Sequence, residues 1–287
     1  MKLGVLCSRV RPEEKAIFRA LAARGVAFDR LDDEGLFLAL HGDGLSRRYS
    51  LVWSRLISHT HARYLLDLLN GWGIPTVNSA ATVALCGDKV LTTQALARSG
   101  IPTPRTVVAF GVEAALEAME QMGYPVVLKP AVGSWGRLVS RVNDRETAEA
   151  LLWHKMALGG PAHSVFYIQE YIPKPGRDIR AMVVGDEVLY AIYRRSEHWI
   201  TNTARGATAS PCPLTPELAE LALAAARAVG GGILAVDLLE GADGRLLVSE
   251  VNHTPEFHGA MKAVEADIAG AMVDYVLRQA REAAERV

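Results

Sequence analysis

The spacing of apolar runs changes character partway along this chain, and that change limits what the chain can fold into. Up to residue 77, apolar runs at 3–7, 26–31, 50–53 and 74–77 alternate with stretches of helical periodicity. Strands separated by helices need crossover connections, and therefore a mainly parallel sheet. The first helix is expected to begin at Pro12, which suits a first helical turn, with Glu13 and Glu14 at the positive end of its dipole and Gly25 as its stop. A second helix is expected over 59–72, where Leu65, Leu66, Leu68 and Leu69 repeat at helical spacing. From about residue 165 strands follow one another directly. Runs 178–184 and 188–194 meet at Gly185-Asp186, and runs 234–239 and 245–250 meet across the glycine-containing turn 241–244. Such turns signal antiparallel hairpins. Between the two regimes, helices are expected at 90–99 and 112–122, with a strand at 125–129. A last helix closes the chain over 267–285. The fold class that results is α/β with α+β lobes: a parallel unit followed by antiparallel ones.

Composition bounds the partners. The 287 residues suit two domains or one with distinct lobes. An apolar share of 50 % excludes a disordered chain, and no apolar run is long enough for a membrane-spanning helix. Lys and Arg total 31 against 32 Asp and Glu, so neither nucleic acid nor a membrane is the expected partner. Cys7, Cys86 and Cys212 are dispersed, which points to a reducing, cytoplasmic setting and away from disulfides or a zinc site.

Four groups of residues carry chemistry. An apolar strand delivers Lys129, and the loop after it holds Gly133, Ser134, Trp135, Gly136 and Arg137. Glycine lets backbone N–H groups approach phosphate oxygens, and the lysine adds a point charge to the same anion. The loop fits neither the Walker nor the dinucleotide fingerprint. Next, Gln169, Glu170, Tyr171 and Ile172 place a carboxylate within an apolar strand, which is costly unless it is paired or hydrogen-bonded. A nucleotide base offers groups that Glu170 and the backbone could bond, and an edge strand with Glu170 facing water is the alternative. Third, Asp237 on one arm of a hairpin and Glu250 with Asn252 on the other interrupt apolar strands; residues two apart share a face. Three hard oxygen donors of this kind suit Mg²⁺, and replacing Asp237 or Glu250 by Ala is expected to abolish turnover with the fold intact. Finally, Arg177, Arg180, Arg194, Arg195 and Arg205 cluster about the hairpins, and guanidinium groups match carboxylates and phosphates. No nucleophile elbow is present, and the histidines His198, His253 and His258 are given no catalytic task.

The order Lys89, Lys129, loop 133–137, Gln169 to Ile172, Asp237, Glu250-Val251-Asn252 resembles the ATP-grasp ligases. More narrowly, the stretches 86–89, 133–137, 174–180, 193–196, 198–206 and 250–254 resemble LysX-type carrier-protein ligases of lysine biosynthesis, close to the ArgX and RimK types. That resemblance implies an ATP-grasp fold with residues 1–85 as an N-terminal α/β domain, 86–168 as a central lid-bearing subdomain and 169–287 as a C-terminal subdomain. It implies that ATP is held by Lys89, Lys129, the 133–137 loop, Gln169 to Ile172, Asp178, Arg180 and Asn202. Two Mg²⁺ ions would sit on Asp237, Glu250 and Asn252. The substrates would meet Arg194, Asn202, Thr203, Arg205, Asn252, Thr254, Glu256 and Phe257. The implied reaction joins the C-terminal glutamate of a small acidic LysW-type carrier to the α-amino group of α-aminoadipate through an acyl phosphate. The implied assembly is a homodimer or homotetramer in the cytoplasm.

At Gly259-Ala260 the chain departs from both the Asn-Ser or Asn-Thr pair of α-aminoadipate ligases and the Gly-Phe pair of glutamate ligases. A small-sided pocket end there predicts a preference for α-aminoadipate, with measurable glutamate activity. The ArgX-like use of glutamate, RimK-like addition of glutamate to a protein tail, and a regulatory ATP-binding protein without turnover are the competing readings.

Overall fold

The computed structural model describes residues 1–41, 45, 48–202 and 206–285. Its first sheet contains β1 (Lys2–Leu6), β2 (Ala27–Leu31), β3 (Leu51–Ser54) and β4 (Thr76–Val77) in the order β2-β1-β3-β4, every pair parallel. Helix α1 (Pro12–Ala23) begins at Pro12 as expected, and α2 (His59–Gly71) is capped by the Ser58 side chain. Gly25, at φ 64°, takes the left-handed turn that ends the first helix.

Helices α3 (Ala80–Cys86) and α4 (Lys89–Arg98), capped by Ser79 and Asp88, lead out of this unit. A second sheet follows, wholly antiparallel, in the order β5-β8-β6-β7: β5 (Thr106–Ala109), β6 (Val126–Lys129), β7 (Ser140–Val142) and β8 (Phe166–Glu170). Helices α5 (Val112–Met122) and α6 (Arg145–Leu158) cover it, through Leu116, Met119 and Leu152. The sequence reading marked no element over α6.

The third sheet has the order β11-β10-β9-β12-β13, with β9 (Arg177–Val184), β10 (Glu187–Arg195), β11 (Thr208–Pro211), β12 (Ile233–Glu240) and β13 (Leu246–Asn252). Both expected hairpins form, the first across the two-residue turn Gly185-Asp186. Alternation splits β9 between two cores. Ala181 and Val183 face α7 (Pro216–Ala228), while Met182 and Val184 face α8 (Ile268–Ala284) and, beyond it, Leu3, Ile17 and Trp53 of the parallel unit. Helix α1 packs on α8, so the parallel unit is docked against the back of the third sheet. The three cysteines are free and buried. Among the described residues, no helix is long and apolar enough to cross a membrane.

Candidate active site

One cleft runs between the second and third sheets and ends against the parallel unit. Its first wall is set by β6 and β8. Lys129, the last residue of β6, donates from Nζ to Gln169 Oε1 at 2.7 Å, and Gln169 Nε2 donates in turn to the Tyr167 hydroxyl at 3.1 Å. Burial pushes the Lys129 amine down to about 8, although the charge of Glu250 opposes that shift. Lys89 opens α4; its Nζ donates to Gly133 O at 2.7 Å and lies 3.4 Å from Glu250 Oε1. It therefore ties the glycine loop to the hairpin of β12 and β13.

That loop carries backbone strain. Trp135 and Leu138 adopt φ 61° and 56°, a region costly for residues with a β-carbon, and the Arg137 guanidinium lies 4.7 Å above the Trp135 ring. All of Gly133, Ser134, Trp135, Gly136 and Arg137 line the cleft. So do Glu170, Tyr171 and Ile172, but Glu170 spends Oε1 on the backbone N–H of Arg105 at 2.6 Å. The carboxylate within the apolar strand is thus paired locally.

Across the cleft the third sheet presents a row of charged residues in register on neighbouring strands, two pairs of opposite sign and one of two carboxylates. Asp178 on β9 faces Arg194 on β10; Arg180 on β9 faces Asp237 on β12, which faces Glu250 on β13. Arg194 holds Asp178 with two hydrogen bonds of 2.7 and 2.8 Å, and Arg180 holds Asp237 the same way. Arg194 Nη2 also reaches Asp237 Oδ2 at 3.1 Å. Burial pushes the Asp237 carboxyl up, but the two guanidinium charges outweigh it and hold the group at about 2. Thr201 donates to Asp178 Oδ2 at 2.5 Å and receives Lys174 Nζ at 2.6 Å. At this end Lys89, Lys129, Lys174, Arg180 and Arg194 face Asp178, Asp237 and Glu250, leaving two positive charges in excess for an anion. Arg194 Nη1 is buried with no partner among the described residues, at a position that lines the cleft.

Asp237 is therefore bound by two arginines. Among the described residues no three His, Cys, Asp or Glu side chains form a metal cage. Asp237, Glu250 and Asn252 nevertheless meet at one end of a hairpin, Asn252 Nδ2 lying 3.4 Å from Asp237 Oδ2. Two carboxylates and an amide are the donor set for a cation that completes its shell with phosphate oxygens. Of the remaining arginines, Arg177 pairs with Glu240 at 2.6 and 2.8 Å, and Arg195 is exposed beside the Tyr193 ring. Asn202 lines the cleft; Thr203 and Arg205 lie outside the described residues.

The far end belongs to the parallel unit. Arg11, Leu56, Ile57 and His59 face Thr254, Pro255 and Glu256 there. Arg11 and Arg55 share the buried carboxylate of Glu14, and Arg55 Nη2 also donates to Pro255 O at 3.0 Å. Glu13 and Glu14, expected only to complement a helix dipole, are 1 % and 0 % exposed and serve as buried counter-charges. Beside them the His59 and His253 rings stand 5.5 Å apart. Burial, with the charges of His59 and Arg55, pushes His253 down to about 4. Gly87 makes room for His59, since a β-carbon there would lie 1.7 Å from the ring.

Three expected substrate positions fall elsewhere. Phe257 is 1 % exposed in the core, beneath the Arg55 guanidinium at 5.8 Å, and Ala260 is buried in the same core near α1 and α8. A β-carbon on Gly259 would meet Ala209 at 3.8 Å, and neither Gly259 nor Ala260 lines the cleft. After Glu256 the chain turns beneath the parallel unit, so its apolar side chains are taken up by packing. Sequence reading missed Arg11, Glu14, Arg55, His59 and Lys174. A carboxylate pair at a helix start was the one available signal, and it has a surface explanation equally good.

Known proteins are similar to this chain in sequence and in fold. The RimK-like ATP-grasp domain matches residues 86–276, and the LysX pre-ATP-grasp domain matches residues 3–85. A glutamate–LysW ligase ArgX of Sulfolobus acidocaldarius is 37 % identical over 278 residues, covering 96 % of this chain and 98 % of that protein. An alpha-aminoadipate–LysW ligase LysX of Sulfurisphaera tokodaii is 33 % identical over 285 residues, covering 98 % and 99 %. The crystal structure of a RimK domain ATP-grasp protein from Sphaerobacter thermophilus superimposes with a TM-score of 0.80 at 28 % identity, covering 96 % of this chain and 99 % of that one.

Proposed function

The chain belongs to the RimK-like ATP-grasp ligases, and from that premise we propose that it joins the C-terminal glutamate of a LysW-type carrier protein to the α-amino group of α-aminoadipate, using ATP and two Mg²⁺ ions in the cytoplasm. The observation that carries this reading is the continuity of the cleft: a cation-rich phosphate end opens directly onto an acceptor end built by the parallel unit. Lys89 and Lys129 draw the phosphates in, and Lys89 holds the glycine loop through Gly133 O. Closure of that loop excludes water, which would otherwise hydrolyse an acyl phosphate. Asp237, Glu250 and Asn252 would hold Mg²⁺, which supplies charge neutralisation on the phosphates when bound. In this reading a carrier carboxylate oxygen attacks the γ-phosphorus and ADP leaves. The amine then attacks the acyl carbon, phosphate departs and the nitrogen gives up a proton. Arg180 and Arg194, fixed by their carboxylates, supply positive charge to the oxygens without reorganising.

Glutamate is the second reading of the amino acid, favoured by the 37 % identity to a protein named for that substrate. The test is ADP release with carrier and each amino acid in turn. Turnover that needs both supports the ligase. A higher kcat/KM for glutamate moves the protein to the second reading, and turnover on an ordinary protein tail without the carrier replaces both with a RimK-like activity.

A further inference from the structure

We infer that Arg11 and Glu256 together form the head-group site for the incoming amino acid, Arg11 taking the α-carboxylate and Glu256 the ammonium before attack. This deepens the proposed ligase reading and rests on it. The two side chains come from opposite walls of the acceptor end, separated by 245 residues in sequence, and meet at 3.0 Å between Arg11 Nη1 and Glu256 Oε1. They are partly buried, with 18 % and 26 % of their side-chain surfaces exposed, so their charges are weakly screened yet reachable from the cleft.

Arg11 is held in place from behind. Its backbone N–H, Nε and Nη2 all donate to Glu14, at 3.1, 2.9 and 2.9 Å, and Glu14 is locked by Arg55 from the other side. Three of its five side-chain N–H groups are used in these contacts and the one to Glu256. Among the described residues, two donors on this fixed guanidinium remain for a ligand oxygen, and a pre-oriented fork loses little entropy on binding.

The sign pattern selects the ligand. A cation and an anion set side by side complement a carboxylate and an ammonium borne on one carbon. A side-chain carboxylate, which has no adjacent ammonium, would meet the Glu256 charge uncompensated. Arg11, Arg55, Glu13, Glu14 and Glu256 sum to one net negative charge, which favours recruitment of the ammonium. The site therefore recognises the α-amino-acid head group and leaves the distal carboxylate to residues deeper in the cleft.

The experiment compares each acidic amino acid with its α-carboxamide, using saturating carrier and ATP, in the wild type and in Arg11→Gln. In the wild type the amide is expected to be used about 100-fold less efficiently than the acid, the range for losing charged hydrogen bonds. In Arg11→Gln the acid loses about that factor while the amide changes little, so discrimination collapses; the KM for ATP stays within about twofold. Arg11→Lys, which keeps the charge without the fork, is expected to fall between, and carries the comparison if Arg11→Gln does not fold. A role confined to propping the 254–256 segment would lower acid and amide together, and unchanged discrimination would overturn the inference. Should the wild type turn over with neither amino acid, the ligase reading fails instead. Calorimetric binding of glutamate and α-aminoadipate to the ATP-loaded wild type and to Arg11→Gln then decides the head-group site, with equal affinity for both proteins counting against it.

Discussion

The two ends of the cleft hold their charges in contrasting ways. At the nucleotide end the partners are neighbours on adjoining strands: Asp178 with Arg194, Arg180 with Asp237, Lys129 with Gln169, at separations of 16, 57 and 40 residues. Sheet hydrogen bonding brings them together whether or not the parallel unit is docked. At the acceptor end the pairs span 245 and 200 residues, Arg11 with Glu256 and Arg55 with Pro255. They exist only once the parallel unit has closed against α8 and the 254–258 segment. ATP affinity should thus survive changes that loosen the docking, whereas amino-acid affinity should not.

The largest effect should separate two carboxylates that sequence treats alike. Asp237→Ala and Glu250→Ala are each expected to cut turnover by about a thousandfold, as the loss of charge stabilisation at reacting phosphates does. Only Asp237→Ala should also destabilise the fold, by about 3–5 kcal/mol, because it leaves the buried Arg180 charge unpaired and takes from Arg194 one of its two carboxylates. Urea unfolding of the two variants measures the difference. Equal midpoints would mean that the arginine ladder contributes nothing to stability, and would restore the expectation of an intact fold.

Arg55→Ala probes the other end. Its guanidinium and the Glu14 carboxylate are 1 % and 0 % exposed, so breaking the pair should cost about 3–5 kcal/mol. In the variant that still folds at low temperature, KM for the amino acid should rise about tenfold with nucleotide affinity within twofold. A matching loss of nucleotide affinity would break the comparison between the ends.

The pH dependence sharpens it further. With the Lys129 amine at about 8 instead of its ordinary 10.5, the charged form is lost as pH rises through about 8 in the free enzyme. kcat/KM for ATP should then fall by up to about tenfold per pH unit above that point, and Lys129→Arg should remove the fall. Stability moves the opposite way. Burying the ammonium costs most below about 8, and that cost fades as pH approaches 10.5. kcat/KM for the amino acid, governed by Arg11, should show no limb assignable to Lys129.

The smallest effect is expected at Gly259. Its φ of −64° suits any residue, and an added β-carbon makes only ordinary contact with Ala209. Gly259→Ala should leave the ratio of kcat/KM for α-aminoadipate and glutamate within about twofold. A large shift in that ratio would return amino-acid choice to this position.

Local patterns made much of the molecule legible. The parallel unit, the two hairpins, Lys129 with its glycine loop, and the Asp237–Glu250–Asn252 set all rest on short-range rules: apolar period, turn chemistry, and polar residues that interrupt apolar strands. Helix α6 escaped because Trp153, Met156 and Leu158 sit exposed on it and blur the periodicity, although Asp144 caps its start. Helix α7 carried a start signal in Thr215 and Pro216 that went unread. What the sequence could not specify was which face of a charged residue another unit would cover. Glu13 and Glu14 have the spacing of surface acids, and Asp237 the look of a bare metal ligand. Docking of the parallel unit covers the first two, Glu13 accepting from His258 across the junction while Glu14 is held by Arg11 and Arg55 of its own unit, and cross-strand register delivers Arg180 and Arg194 to the third. The same docking draws Phe257 and Ala260 into the core. Charge and hydropathy are written residue by residue, but burial and pairing depend on surfaces brought together from hundreds of residues away, and only the tertiary structure supplies them.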